Sequence, residues 1–429
     1  MKTANIIFIC VATVVLSCSN STRNCSNTIK EQFTVADSPE QVGFSSERLA
    51  RIDSFMQNAI KIQMFPNAAT FIARHGKIVY QKAFGYKNIE KQEPLSNTDI
   101  FRIASQSKAI VTVGLMMLYE QGKFLLDDPI SMYIPAFKNP QVLVTLNEKD
   151  SSYTTRPADK EITIRHLLSH TSGITYENAY YIKNHIPLVN SLGSETIGKV
   201  VNRLAKLPLK HDPGKEFTYG LNIDVVGYLV EILSGMKLDE YLKKNIFDPL
   251  GMDDTYFYLP ENKASRLVTV YEKVARDSAL KITRFNQNQV YPVAGAKKYF
   301  SGGAGLVGTI EDYAKFCQML LNGGEFNNHR ILGRKTIELM TTNQIGDLTV
   351  WDTGDKFGLG FELSTERGGH AKHPGSLGEF KWGGMYCTDY FIDPKEDMIC
   401  LFYTNVHPYA LYGEALEKWR VLAYQALVN

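Results

Sequence analysis

The sequence predicts an α+β fold: an antiparallel sheet assembled from the two ends of the chain, flanked by terminal helices, with a helical subdomain inserted between. Three observations predict it. Apolar runs at 68–73 and 77–84 flank His75-Gly76, a hairpin signal near the N-terminus. Strand-like texture then returns after residue 300, with alternation at 357–363 and further strand candidates at 380–385 and 398–404. Between them, from about 127 to 300, the texture is prolines, aromatics and short helical patterns with few clean strands.

Taken in order, the chain opens with a processing signal rather than with fold. Lys2 precedes an apolar run at 6–16 and then Val15-Leu16-Ser17-Cys18. The run is too short to span a bilayer. Its end resembles a bacterial lipoprotein signal, in which the cysteine is lipidated and becomes the first residue. The expected organisation is therefore a signal peptide at 1–17, a lipidated tether at 18–40 and a folded domain at 41–429. An exported lipoprotein on the periplasmic side of the membrane is implied. The alternative is an ordinary secretory signal that contains Cys18, leaving the protein soluble in the periplasm or secreted.

In the domain, Ser45 or Ser46 can cap a helix with Leu49, Ile52, Met56 and Ile60 on one face. The hairpin follows, then an apolar helix at 109–120 closed by Gly122. The segment 301–307 reads as strand-like. Thr309 caps a helix running to Leu321, and a last helix at about 411–427 turns Leu416, Trp419, Leu422 and Ala426 inward.

Composition narrows the chemistry. The net charge is +2 over 429 residues, with no basic run or aromatic-basic interleaving, so nucleic acid is not an expected partner. Cys317, Cys387 and Cys400 sit among apolar residues and read as buried thiols. His370 and His373 have helical ligand spacing, but Gly368, Gly369 and Pro374 argue for a loop, and no metal site is assigned.

The stretch that points to chemistry is Phe101-Arg102-Ile103-Ala104-Ser105-Gln106-Ser107-Lys108. Ser105 and Lys108 are one helical turn apart and share a face. A serine hydroxyl needs a neighbouring base to become a nucleophile, and a lysine amine serves when burial or a nearby cation lowers its pKa. Free N–H groups in the first helical turn favour negative charge on a reacting oxygen. The same spacing recurs at Ser234/Lys237 and Ser278/Lys281, but neither has an apolar helix behind it. A charged Lys108 at the mouth of so buried a helix calls for a function.

Further motifs follow in order: His166-Leu167-Leu168-Ser169-His170-Thr171-Ser172-Gly173, Pro213-Gly214 to Tyr219, Gly302 to Thr309, and Trp382-Gly383-Gly384. Together with Ser105 and Lys108 they resemble the serine β-lactamase-like family, closest to the class C β-lactamases and the family VIII carboxylesterases. The likeness spans about 44–428. It implies a β-lactamase/penicillin-binding-protein-like fold, Ser105 as nucleophile, Lys108 as its activating base, and Tyr219 as a phenol assisting proton transfer. Tyr176 is the alternative tyrosine, since Asn178 lies two residues on. Asn222, three residues after Tyr219, is the candidate for the family's asparagine contact. At the third motif the β-lactamases and D-peptidases carry a lysine, and Trp382 stands here instead. The resemblance then implies an oxyanion hole from the N–H groups of Ser105 and Met385, with Gly383 and Gly384 letting substrate approach the strand. Lys381 should point to the other face by strand alternation. Tyr176 otherwise reads as a wall of the substrate cleft.

The expected activity is hydrolysis of small or medium carboxylic esters through a Ser105 acyl-enzyme, on a small-molecule ester or amide substrate, without metal or organic cofactor. Two readings stand beside it: a β-lactamase or D-amino-acid peptidase acting on cell-wall-derived substrates, and a non-catalytic binding protein on the same fold.

Overall fold

The computed structural model describes residues 32–147, 149–176, 179–187 and 192–429. The signal at 1–17 and Cys18 lie outside the described residues. The folded part reaches back further than 41. Phe33 packs its ring against Phe71 and Phe326 at 5.2 and 5.3 Å, and β1 (Thr34–Val35) pairs in parallel with Lys77 and Ile78. One aromatic anchor suffices to dock the end of what reads as a polar tether.

Ser45 caps α1 (Ser46–Lys61) by accepting the Arg48 N–H. The predicted hairpin is β2 (Asn67–Arg74) and β3 (Lys77–Asn88), and α2 (Ser107–Glu120) follows. Beyond the insert come α3 (Ile310–Leu321), β4 (Lys356–Phe357), β5 (Glu362–Leu363), β6 (Phe380–Gly384), β7 (Thr388–Asp393), β8 (Met398–Tyr403) and α4 (Tyr412–Gln425). The sheet runs β1-β3-β2-β8-β7-β6-β5-β4, so strands from the two ends of the chain meet where β2 pairs antiparallel with β8. Apart from β1, these pairings are antiparallel.

Period-two alternation assigns each face a partner. From β8, Ile399, Leu401 and Tyr403 join the core that also holds α2 and α3, while Met398, Cys400 and Phe402 join Leu49, Ile52, Met56 and Trp419 of the terminal helices. A strand buried on both faces reads as a continuous apolar run, as Met398-Ile399-Cys400-Leu401-Phe402-Tyr403 does. Cys317, Cys387 and Cys400 are buried and free. No helix among the described residues is long and apolar enough to cross a membrane.

Four local expectations change. The stretch 357–363 is a tight hairpin rather than one strand, because Gly360 takes φ +88° and a Cβ at Gly358 would meet the Met340 carbonyl at 2.0 Å. At 301–307 only Val307 enters a strand, pairing with Arg102. The insert holds an unexpected hairpin, Gln141–Asn147 with Ser152–Pro157. Residues Gly369–Lys372 form a single helical turn, and His370 bonds through Nδ1 to the Gly375 carbonyl at 2.8 Å.

Candidate active site

The chain enters α2 through a constrained turn. Phe101 and Arg102 pair with Gly308 and Val307, and the buried Arg102 guanidinium donates to the carbonyls of Tyr291, Val268 and Gln289 at 2.8, 2.7 and 2.6 Å. Ala104 then adopts φ +43°, a left-handed conformation that costs an L-residue energy and must be held in place. The Ser107 hydroxyl holds it, donating to the Ala104 carbonyl at 2.6 Å and accepting the Leu306 N–H at 3.0 Å. Tyr313 donates its phenol to the Gln106 carbonyl at 3.0 Å. Ser105 is thereby left part-exposed at the helix mouth, with Gln106, Ser107 and Lys108 buried behind it.

Lys108 Nζ has three neighbours: Ser105 Oγ at 3.2 Å, Tyr176 OH at 3.1 Å and the Gly303 carbonyl at 2.6 Å. The Gly303 carbonyl can only accept from the amine, and Ser105 Oγ lies within hydrogen-bond reach of the same nitrogen. The Tyr219 ring lies over the same nitrogen, 4.6 Å from its centroid. Ser105, Lys108, Tyr176 and Tyr219 are therefore brought together.

The two tyrosines differ in setting. Tyr176, expected as a cleft wall, bonds the lysine directly. Burial pushes its phenol well above the usual range, with Tyr219 and Asp224 beside it adding to the shift, so it stays neutral. Tyr219, half-buried like Tyr176, accepts the Trp382 indole N–H on its OH at 3.2 Å.

Asn222 is corrected as a substrate contact. It is fully buried at the start of the Asn222–Ser234 helix. Its amide bonds His170 Nδ1 at 2.9 Å and the Ile174 carbonyl at 3.3 Å, bracing the turn that carries Tyr176. Gly220 serves the same junction: a Cβ there would meet the Ile174 carbonyl at 2.2 Å, which accounts for glycine after Tyr219. Packing also requires the two strand glycines. At Gly384 a Cβ would lie 2.4 Å from the Ile103 carbonyl, so glycine lets β6 press against the nucleophile turn. At Gly383 it would meet Tyr412 OH at 2.9 Å. Met385 packs against the small cluster that contains Ala104, beside the nucleophile turn where the oxyanion hole is expected.

Several contributors were missed. The Gly303 carbonyl faces Lys108 because Gly302 sits on the Ile223 carbonyl, where a Cβ would come to 2.3 Å. Behind it lies Asp224, whose Oδ1 accepts from Ser301 and Tyr299 at 2.8 and 3.2 Å. Burial raises the Asp224 pKa, opposed by the Ser301 hydrogen bond and the Lys108 charge. An acid inside the apolar run Ile223-Asp224-Val225-Val226 carried the same sequence signal as Lys108. His170 is also buried. Burial and then Lys108 hold its pKa well below the usual value, and its ring packs 4.8 Å from that of Tyr219.

The opposite side of the cleft is aromatic. Trp382 contacts both Tyr219 and Phe357, at 5.2 and 5.4 Å. Trp351 stacks on Trp382 at 5.8 Å and 22°.

A model of the Beta-lactamase family matches residues 52–425. The chain belongs to the beta-lactamase family. Protein Rv1367c of Mycobacterium tuberculosis is 30% identical over 354 residues, covering 79% of this chain and 85% of that protein. A protein of Salmonella typhi named "Putative D-alanyl-D-alanine carboxypeptidase" is 27% identical over 429 residues, covering 93% and 91%. Among solved structures, EstCE1, described as a hydrolase with promiscuous acyltransferase activity, superposes with a TM-score of 0.73 at 28% identity, over 88% of this chain and 99% of that one. The fold is thus that of beta-lactamases and penicillin-binding proteins, as the motifs implied, and the protein is a serine hydrolase of that family.

Within this beta-lactamase-family site, Lys381 lies off the cleft. Its Nζ is 3.5 Å from Asp355 Oδ2 and 3.7 Å from Glu362 Oε1, while Trp382 on the next position meets Tyr219.

Proposed function

We propose that this protein is a carboxylesterase cleaving small or medium esters through a Ser105 acyl-enzyme. The observation that carries the reading is the β6 edge. A neutral indole bonded to Tyr219 occupies the cleft side, and the adjacent cation, Lys381, is committed to Asp355 and Glu362 on the other. An indole cannot pair with the carboxylate of a lactam or peptide as an ammonium does. The likeness to EstCE1 supports the same reading.

In this mechanism Lys108 Nζ takes the Ser105 proton as Oγ attacks the ester carbonyl. The N–H groups of Ser105 and Met385 hold the tetrahedral oxyanion. Tyr219, part-exposed beside Lys108, passes a proton to the departing alkoxide and is reprotonated from Lys108. Tyr176 and Gly303 hold the amine in place. Water then attacks the acyl-enzyme, its proton going to Lys108, and Ser105 leaves with a proton.

The test is parallel turnover of p-nitrophenyl acetate and a chromogenic cephalosporin by wild type and Ser105→Ala. Ester cleavage that Ser105→Ala reduces by about 10⁴-fold or more, with little lactam turnover, is expected. Preferential lactam turnover would overturn the esterase reading. The Salmonella relative makes D-alanyl-D-alanine peptides the second substrate to assay, and cleavage of these without ester cleavage would move the assignment to a peptidase.

We also propose export and lipidation at Cys18, on the pattern of Lys2, the apolar run and Cys18. Palmitate labelling in a bacterial host should vanish in Cys18→Ala; persistent labelling refutes the anchor.

A further inference from the structure

Trp351 is 54% exposed, yet it is not a loose surface residue. Its ring stacks on Trp382, lies 6.1 Å from Tyr219 and meets Phe217 edge-on at 5.8 Å. Its backbone has φ +46°, a region that a bulky side chain rarely adopts and that costs energy wherever it does.

The surrounding loop enforces this conformation. Val350 donates its N–H to the Asp355 carbonyl at 2.9 Å, and Thr349 Oγ1 donates to the Trp351 carbonyl at 2.7 Å. Thr353 Oγ1 donates to the Val350 carbonyl, also at 2.7 Å. Asp355 is itself anchored by the N–H groups of Gly369 and Thr365 at 2.7 and 3.0 Å. The loop commits several hydrogen bonds to holding a strained, half-exposed tryptophan over Tyr219, with half of the side chain left facing solvent. Glycine or asparagine would fit the backbone better.

We infer that Trp351 is a specificity-determining residue, the outer lip of the Ser105 cleft, selecting esters that carry a flat apolar group, aromatic in the first instance. The inference deepens the esterase reading and rests on it. Trp382 and Tyr219 form the inner part of the wall and Trp351 extends it outward, so a ring bound beside the reacting carbonyl continues the offset stack.

The experiment compares ethyl acetate, phenyl acetate and ethyl benzoate, followed by acid release. The aromatic esters place the ring on the alcohol side or the acyl side. In Trp351→Gly the kcat/KM ratio of at least one aromatic ester over ethyl acetate should fall about ten-fold, mainly through KM. Trp351→Phe should recover most of it. The melting temperature of Trp351→Gly should not drop, because the strained position is relieved; if that variant folds poorly, Trp351→Asn, which also tolerates a left-handed backbone, replaces it. An unchanged selectivity ratio for both aromatic esters, with wild-type esterase activity intact, overturns the assignment of Trp351 alone. A wild type that cleaves none of the three esters overturns the esterase reading itself.

Discussion

On one side of Ser105, Lys108, Tyr176, Gly303 and Asp224 form a largely buried polar corner; on the other, Tyr219, Trp382, Phe357 and Trp351 pack into an aromatic wall. The corner is drawn from α2 and the helical insert, the wall largely from the sheet edge and its loops. In the corner each polar atom of Lys108 has a partner, as a buried amine requires. In the wall few polar groups need satisfying, and shape decides what binds. In the proposed mechanism the difference separates two tasks: the corner moves protons, and the wall chooses which carbonyl is presented. Tyr219 belongs to both, with its ring over Lys108 and its hydroxyl on Trp382.

The largest break in this comparison is Lys108→Ala. It removes the proposed proton acceptor from the corner and leaves the wall, so kcat for p-nitrophenyl acetate should fall by about 10²–10⁴-fold with KM little changed. A loss confined to KM would mean that Lys108 binds substrate rather than activating Ser105.

The two phenols sharpen the boundary. Tyr219→Phe should lower kcat by roughly 10²-fold, because the leaving group loses its proton donor. Tyr176→Phe should cost on the order of ten-fold, because Lys108 loses one of three partners and is held less firmly. The reverse order in single-turnover measurements would transfer the proton-donor role to Tyr176.

The smallest effect lies behind the wall, where Glu362 and Asp355 face Lys381. Burial pushes the Glu362 carboxyl up to about 7, against the pull of Lys381. A carboxyl whose folded pKa is raised binds more protons folded than unfolded, so its ionisation erodes stability as pH rises from about 4.5 towards 7. Glu362→Gln should therefore gain melting temperature relative to wild type across that interval and level off above it. A difference that is flat with pH would show that Glu362 does not titrate there.

Much of this was legible in the residues. The two halves of the sheet, the capped helices and the Ser105–Lys108 turn were readable because their signals are local: alternation along a strand, a serine before a helix, a lysine opening an apolar helix. Asp224 carried that last signal too, an acid in an apolar helix, and was passed over. The β4–β5 hairpin was hidden by an alternation that two glycines interrupt, and the 141–157 hairpin by its exposed, mostly polar strands.

By itself, the sequence determined the fold class and the family and singled out the Ser105–Lys108 pair, since each rests on spacing within a few residues or on motifs in order. Only the tertiary structure decided which tyrosine bonds the lysine, that Asn222 braces a turn instead of meeting substrate, and that Gly384 is glycine to press a strand against the nucleophile turn. Tyr176 and Gly303 stand 68 and 195 residues from Lys108 along the chain, yet both touch its Nζ. Contacts of that kind exist only once the insert has packed against α2 and both ends of the chain have closed the sheet, because burial and partner geometry are properties of the assembled core rather than of any stretch within it.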